Sequence, residues 1–360
     1  MIIEKSLLQK KLKALELAVA SKLTIPAHTC LKWVNNTMIT TNGYTSVITT
    51  VELNEGDKIE ALIPFKFLKQ IVDKADSNSI ELTINGNQLN IKANRARFKL
   101  ALGVLSEFPD NISMERAENE LKINSNVIKQ IADKIAFCCD NKDGKKPALK
   151  GVNFVCKDGE LTIVATDAFR LAKTTIPFTQ DFQAVIQGQD VYNMAKIFDN
   201  DKEVSFGLKG KRCYFYCDDI YYEPTLIDAT YPDTSRLVPA TSRYEITLDR
   251  VDLMETIDRI LMMSTTEKDK PNIIKIVFEK GLVTISSTNE QIGSASESIE
   301  CDCDFELTLA CNGAYLKEAL ARFEKKGIIL HISQDIRPFT ITDADYTNPL
   351  VQLLLPVRVD

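Results

Sequence analysis

The sequence predicts an α+β protein made of three similar domains. Three observations predict it. A strand-and-turn motif recurs at near-constant spacing, an amphipathic helix opens each copy, and the chain between helices alternates with period two, as antiparallel sheet does.

The recurring motif is Thr37-Met38-Ile39-Thr40-Thr41-Asn42, which matches Thr162-Ile163-Val164-Ala165-Thr166-Asp167 and Thr284-Ile285-Ser286-Ser287-Thr288-Asn289. The copies stand 125 and 122 residues apart, and each ends in Thr followed by Asn or Asp. Phe108-Pro109-Asp110 returns as Tyr231-Pro232-Asp233 at a spacing of 123.

The opening helices read as follows. Leu8, Leu12, Leu15 and Val19 make one apolar face, with Ser6 expected as N-cap. Ile128, Ile131, Ile135 and Cys139 make the second stripe, and Leu253, Ile257, Ile260 and Leu261 the third. Ile63-Pro64-Phe65-Lys66-Phe67-Leu68-Lys69-Gln70-Ile71 reads as a further helix, with counterparts around Val191 and Leu316. Glu306-Leu307-Thr308-Leu309 alternates as a strand, and in residues 159–173 Leu161, Ile163 and Ala165 alternate with Thr162, Val164 and Thr166. The expected domains are 1–118, 119–242 and 243–360, each of ordinary domain size.

Composition narrows the function. The 360 residues are 44% hydrophobic and 26% charged, with a net charge of -6. That charge weighs against nucleic-acid binding by the whole surface but leaves room for a segregated basic face. No apolar run reaches the ~18 residues of a membrane span, and the N-terminus does not read as a signal peptide, so a cytoplasmic protein is expected. The nine cysteines form no CxxC pair and read as reduced, mostly buried hydrophobes. Only two histidines occur: His28 in a turn, and His331 in a strand-like run where a structural role is expected. No nucleophile elbow, phosphate-binding loop or dinucleotide fingerprint is present, and no cofactor or metal is expected. Lys209-Gly210-Lys211-Arg212 reads as a basic hairpin tip. These features favour a binding or scaffold protein over an enzyme.

Four segments carry a resemblance. Residues 146–172, KPALKGVNFVCKDGELTIVATDAFRLA, resemble the middle domain of the bacterial DNA polymerase III β sliding clamps. Tyr231-Pro232-Asp233-Thr234-Ser235-Arg236-Leu237-Val238-Pro239 is similar to that family's segment between its second and third domains. Cys311-Asn312-Gly313-Ala314-Tyr315-Leu316 resembles the start of its last helix, and Leu354-Leu355-Pro356-Val357-Arg358-Val359 its C-terminal strand. The matches span the chain in the family's order.

The resemblance implies a DNA-clamp fold: a head-to-tail homodimer closing a ring around duplex DNA, with helices lining the hole and antiparallel sheets outside. It implies a non-catalytic processivity factor whose partners are double-stranded DNA, the replicative polymerase, the clamp loader and repair polymerases. By residue-wise match, a pocket for short extended peptides would comprise Leu149, Thr166, Ala168, Phe169, Arg170, Leu171, Pro232, Arg236, Leu237, Leu353, Leu355, Pro356, Val357 and Arg358. Apolar walls would bury leucine and phenylalanine, and the arginines would bond peptide carbonyls or an acidic residue. Ala168-Phe169 departs from the family's commoner Gly-His, and Asp360 adds a carboxylate, so an altered peptide preference is expected.

A sliding ring needs weak, diffuse positive charge rather than a tight grip. Lys10, Lys22, Lys66, Lys69, Lys74, Lys196 and Arg322 on the helices, with Lys145 and Lys146 in a loop, are the expected DNA-facing cations. In that loop Pro147 and Ala148 replace an aromatic pair that the family often carries. Phe98 and Leu100 match one side of the family's ring interface, and Leu261 and Met262 the other. Two competing readings are a magnesium-dependent nuclease using Asp343 and Asp345, and a monomeric adaptor.

Overall fold

The computed structural model describes residues 1–21, 25–117, 120–140, 146–198, 201–264, 272–345 and 349–358. Lys22, Lys145 and Asp360 lie outside the described residues. The chain forms two compact units, Met1–Lys129 with Tyr192–Leu226, and Gln130–Val191 with Ile227–Asp360.

In the first unit an eight-stranded antiparallel sheet runs in the order Glu60–Pro64, Cys30–Val34, Thr37–Thr41, Thr45–Thr50, Ile220–Pro224, Arg212–Cys217, Glu203–Lys209, Leu121–Asn124. A four-stranded sheet runs Ile2–Glu4, Ser79–Asn85, Gln88–Ala93, Ala96–Ala101. Helices α1 (Lys5–Leu15) and α2 (Phe65–Lys74) pack on the larger sheet, burying Leu8, Leu12 and Leu15 from one and Phe65, Leu68 and Val72 from the other. They are joined by Gln9 Nε2 donating to Asp73 Oδ1 at 3.3 Å.

Three expectations change here. Ile2–Glu4 is a strand, paired with residues 79–81, so the helix starts at Lys5. Ser6 is therefore inside the first turn, bonding the Glu4 carboxylate, and does not cap. Val19 lies beyond the helix, after a short 3-10 turn at Glu16–Ala18. Ile63 and Pro64 close a strand rather than open a helix, because proline there removes only a donor that a helix start leaves unpaired anyway. Two of the three unit boundaries fall within α3 (Ser125–Lys134) and α4 (Gly188–Ile197), and the third follows Leu226.

The second unit repeats the plan. Its eight-stranded sheet runs Phe182–Gln187, Gly151–Lys157, Glu160–Thr166, Arg170–Pro177, Val351–Leu354, Phe339–Asp343, Gly327–Ile332, Tyr244–Asp249. Its four-stranded sheet runs Gly293–Glu300, Leu282–Asn289, Ile273–Glu279, Leu307–Asn312. Helix α5 (Arg250–Leu261) buries the expected Leu253, Ile257 and Ile260, and is capped by Asp249, whose carboxylate accepts from Val251 N at 2.8 Å. Helix α6 (Gly313–Leu320) is capped by Asn312. Gly313 lets α6 approach the sheet, since a Cβ there would stand 2.8 Å from Ile274 Cγ2.

The expected alternation in residues 160–166 gives way at its end, where Ile163, Val164, Ala165 and Thr166 are all buried. Val164 joins an apolar cluster on the face that alternation assigns to solvent. All nine cysteines are free thiols, eight of them buried. Burial pushes those of Cys139 and Cys311 up to about 12, so they stay protonated hydrophobes. His331 has the structural role expected: its ring bonds Glu245 at 3.1 Å and Thr342 at 2.8 Å. Asp343 is buried and Asp345 pairs with Lys325, and no group of three or more metal-ligating side chains occurs among the described residues.

Candidate functional site

The turn after Glu160–Thr166 is built by two side chains. Thr166 Oγ1 donates to Arg170 O at 2.6 Å and accepts from Ala168 N at 3.1 Å. Asp167 Oδ1 accepts from the amides of Phe169 and Arg170 at 2.9 and 3.0 Å. This is the local competition of short polar side chains with backbone pairing that makes Asx turns. The same bonds recur in the first unit. Thr41 Oγ1 donates to Thr45 O and accepts from Gly43 N, and Asn42 Oδ1 accepts from Tyr44 N and Thr45 N. In the third copy of the motif Asn289 Oδ1 accepts from Gln291 N and Ile292 N. The Asn or Asp of the repeated signature thus forms the turn in all three copies, and the Thr joins it in the first two.

Where the first unit has Gly43 at φ +90°, the second has Ala168 at φ 74°, a left-handed conformation that disfavours a Cβ. The turn projects Phe169 outward, 62% exposed. Leu355 N donates to Phe169 O at 2.9 Å, continuing the pairing of Val351–Leu354 with Arg170–Lys173. The expected C-terminal strand therefore ends at Leu354, and Val357 bonds Ala310 O instead.

Beneath the turn Leu149, Leu171 and Leu353 pack with Ala148, Val164, Val185 and Tyr231, and Val238 leans on the cluster. Burial pushes the Tyr231 hydroxyl well above the usual phenol range. Phe169, Leu237 and Leu355 are exposed apolar side chains, Pro232, Arg236 and Arg358 are exposed, and Pro356 and Val357 are half-buried. Sheet pairing and the cluster gather segments near 149, 166–171, 231–238 and 353–357. Ala148, Val164, Val185 and Tyr231 were missing from the sequence reading of the floor. Only the apolarity of Val164 among threonines signalled it.

Arg170 points inward. Its guanidinium lies over the rings of Phe137 at 5.1 Å and Tyr315 at 4.2 Å. It bonds Asp167 Oδ2 at 3.0 Å, Phe137 O at 3.3 Å and the Glu318 carboxylate.

Among the expected DNA-facing cations, Lys10, Lys66, Lys74, Lys146 and Lys196 are exposed. Lys69 is held between Asp73 at 2.7 Å and Glu16 at 3.7 Å. Arg322 pairs with Asp133 at 2.9 Å and lies over Phe137. Lys11, beside Lys10, is buried against Asp219, and burial lowers its pKa. Phe98 is exposed and Leu100 half-buried on the edge strand Ala96–Ala101. Met262 is exposed and Leu261 half-buried at the end of α5.

Repeated helix-on-sheet units presenting a rigid apolar turn define a binding scaffold. The comparisons make it specific. The family model described as DNA polymerase III beta subunit, central domain, matches residues 122–233, and that of the C-terminal domain matches residues 235–358. The beta sliding clamp of Bacillus subtilis is 28% identical, over 99% of this chain and 98% of that protein. The beta sliding clamp of Streptococcus pneumoniae is 26% identical over 99% of both. The crystal structure of the Bacillus subtilis DNA polymerase sliding clamp superposes with a TM-score of 0.92 at 25% identity, covering 100% of this chain and 99% of that one. The Thermotoga maritima beta subunit shares the fold, with a TM-score of 0.91 at 18% identity over 100% of this chain and 99% of that one. The chain belongs to the DNA polymerase III beta subunit family, the bacterial sliding clamps, which are non-catalytic processivity factors of the polymerase.

Proposed function

We propose that the chain's clamp function is divided among three surfaces. The Phe169 turn and its leucine floor take short extended peptides from the replicative polymerase, the clamp loader and repair polymerases. The observation that carries this is a contrast between the two repeated turns. Pairing registers align Leu171 with Ser46 and Leu353 with Glu223, and the matching 3-10 turns align Leu149 with His28. The same backbone frame keeps an apolar base in both units, Ala27, Ile39, Leu62 and Phe108 matching Ala148, Val164, Val185 and Tyr231, but the three leucine positions that complete it in the second unit are polar in the first. Glu223 there is buried and engaged by Arg212 at 2.8 Å and Tyr221 at 3.0 Å. Each leucine or phenylalanine side chain buried on an apolar floor contributes about 1.5–3 kcal/mol, so one peptide site per chain follows.

The exposed Lys10, Lys66, Lys74, Lys146 and Lys196 supply the diffuse attraction to duplex DNA, with Lys22 and Lys145 extending it. Two chains close a ring by joining the edge strand Ala96–Ala101 of one to the edge strand Gly293–Glu300 of the other. Exposed Arg95, Arg97 and Lys99 flank the first edge, and exposed Glu290 and Glu300 the second. Opposite charge and an unpaired ladder on each edge suit such a joint. Phe98, Leu100, Leu261 and Met262 add the apolar part. The central-domain family model starts at 122, in keeping with a middle domain from 119, while the C-terminal model starts at 235, ahead of the proposed last domain at 243. A cytoplasmic location accords with these partners, and among the described residues no helix is long and apolar enough to cross a membrane.

Primer extension with the polymerase and clamp loader tests the reading. The chain lengthens the products, and Leu237→Asp combined with Leu355→Asp abolishes the effect while the protein stays folded and dimeric. Unchanged product length with that variant would contradict the assignment.

A further inference from the structure

We propose that Phe169 sets the peptide specificity of this clamp, selecting an apolar or aromatic side chain and rejecting a carboxylate at the position facing the turn. The proposal rests on the reading of the groove as the peptide site.

The first support is rigidity. Four hydrogen bonds from Thr166 and Asp167, with a fifth from Leu355 N, fix the backbone on both sides of Phe169. Ala168 at φ 74° has fewer alternative conformations than the glycine in the matching turn of the first unit. A preorganised side chain spends little ordering entropy on contact. The ring of Phe169 is 62% exposed and stacks on no other ring among the described residues, so its faces are open to a ligand.

The second support is charge. Arg170 is the cation next to the turn, and its charge is met by both Asp167 and Glu318. One guanidinium against two carboxylates leaves the node with a net negative charge. Its donors also reach Phe137 O, and its faces lie over Phe137 and Tyr315. A peptide carboxylate approaching Phe169 therefore meets an apolar ring above a slightly negative cluster. It gains no ion pair from Arg170, whose charge is already met, and loses hydration. Arg236 and Arg358 are exposed but belong to other segments of the rim.

The test is fluorescence polarisation with labelled pentapeptides carrying one leucine and one phenylalanine among alanines. Each alanine position is replaced in turn by phenylalanine and by aspartate. Wild type binds the phenylalanine version at one position at least tenfold tighter than the aspartate version. Phe169→Ala reduces that ratio to near one at that position and leaves the other positions unchanged. Glu318→Gln, which removes one carboxylate from the node, raises affinity for the aspartate version several-fold without altering that for the phenylalanine version. Equal ratios in wild type and Phe169→Ala would overturn the inference, as would no response to Glu318→Gln. Failure of the underlying reading looks different: peptides bind, yet Leu355→Asp and Leu237→Asp leave every affinity unchanged.

Discussion

The backbone amide of Leu355 donates to the carbonyl of Phe169 over 2.9 Å, and the amide of Thr225 donates to the carbonyl of Tyr44 over 2.8 Å in the matching place of the first unit. In both units the residue just past a central strand anchors the turn of its neighbour. The C-terminal segment thereby becomes one side of the proposed peptide groove.

Leu355→Pro removes that donor. A proline nitrogen carries no hydrogen, so the Phe169 carbonyl loses its partner. We predict a stability loss of about 1 kcal/mol, the ordinary net worth of one hydrogen bond. Peptide affinity falls tenfold or more in fluorescence polarisation, while Leu355→Met changes either quantity little.

Ala168 and Gly43 offer a reciprocal exchange. A Cβ in the left-handed region costs roughly 1–2 kcal/mol, partly offset by the greater unfolded-state entropy of glycine. Ala168→Gly is predicted to leave stability unchanged or raise it by up to about 1 kcal/mol, and to loosen the turn. Gly43→Ala is predicted to destabilise by about 1–2 kcal/mol, because its Cβ would also stand 3.3 Å from His28 Cε1. Urea midpoints of the two variants check both signs.

Acid should release residues 112–117 and Glu120 from the rest of the first unit. The stacked Tyr214 and Tyr221 hold them: Ala117 N donates to Tyr214 Oη at 2.7 Å and Tyr221 Oη donates to Glu115 O at 2.9 Å. Their carboxylates sit below the ordinary glutamate value of 4.5, Glu120 because of Arg116 and Glu115 because of Lys209. A depressed folded pKa contributes stability that is present above the unfolded value and lost as pH falls through the folded one. Protease cleavage in 112–117 is therefore predicted to be flat above pH about 5 and to rise below the ordinary carboxylate range. Glu120→Gln weakens the anchor at neutral pH and flattens the profile.

The lysines of α2 should not be equivalent. Lys69 is already neutralised by Asp73 and Glu16, whereas Lys66 is exposed. Lys66→Ala is predicted to reduce the salt-concentration slope of DNA binding by up to about one unit, as loss of a phosphate contact does. Lys69→Ala is predicted to change it little. Binding titrations across salt concentrations distinguish them.

Much of the architecture was legible because it repeats. Ile128 and Ile131 of α3, Leu253, Ile257 and Ile260 of α5, the period-two strands and the Thr-Asn/Asp signature are local patterns that one stretch of chain displays by itself, although Ile135 and Cys139 of the expected second stripe lie past the end of α3, around a 3-10 turn at Ala136–Cys138. What stayed hidden depends on partners far along the chain. Ile2–Glu4 is a strand only because Ser79–Asn85 lies beside it, and three residues carry too little periodicity to declare that. Arg170 looked available to a peptide because Tyr315 and Glu318 lie some 145 residues away in sequence. Arg322 looked like a free cation for the same reason, its partner Asp133 lying 189 residues away, whereas the Asp73 that holds Lys69 is only four residues along the same helix. The leucine floor was named only through family resemblance, since nothing local places Leu149 against Leu353.

Topological capture of DNA is the central claim, and the most direct measurement is retention on a nicked circular plasmid before and after linearisation. The labelled chain, loaded by its clamp loader, should co-elute with the closed circle at salt concentrations that abolish ordinary electrostatic binding, and should be lost once a restriction enzyme opens the circle. Equal retention on circular and linear DNA, or loss from both as salt rises, would contradict encirclement.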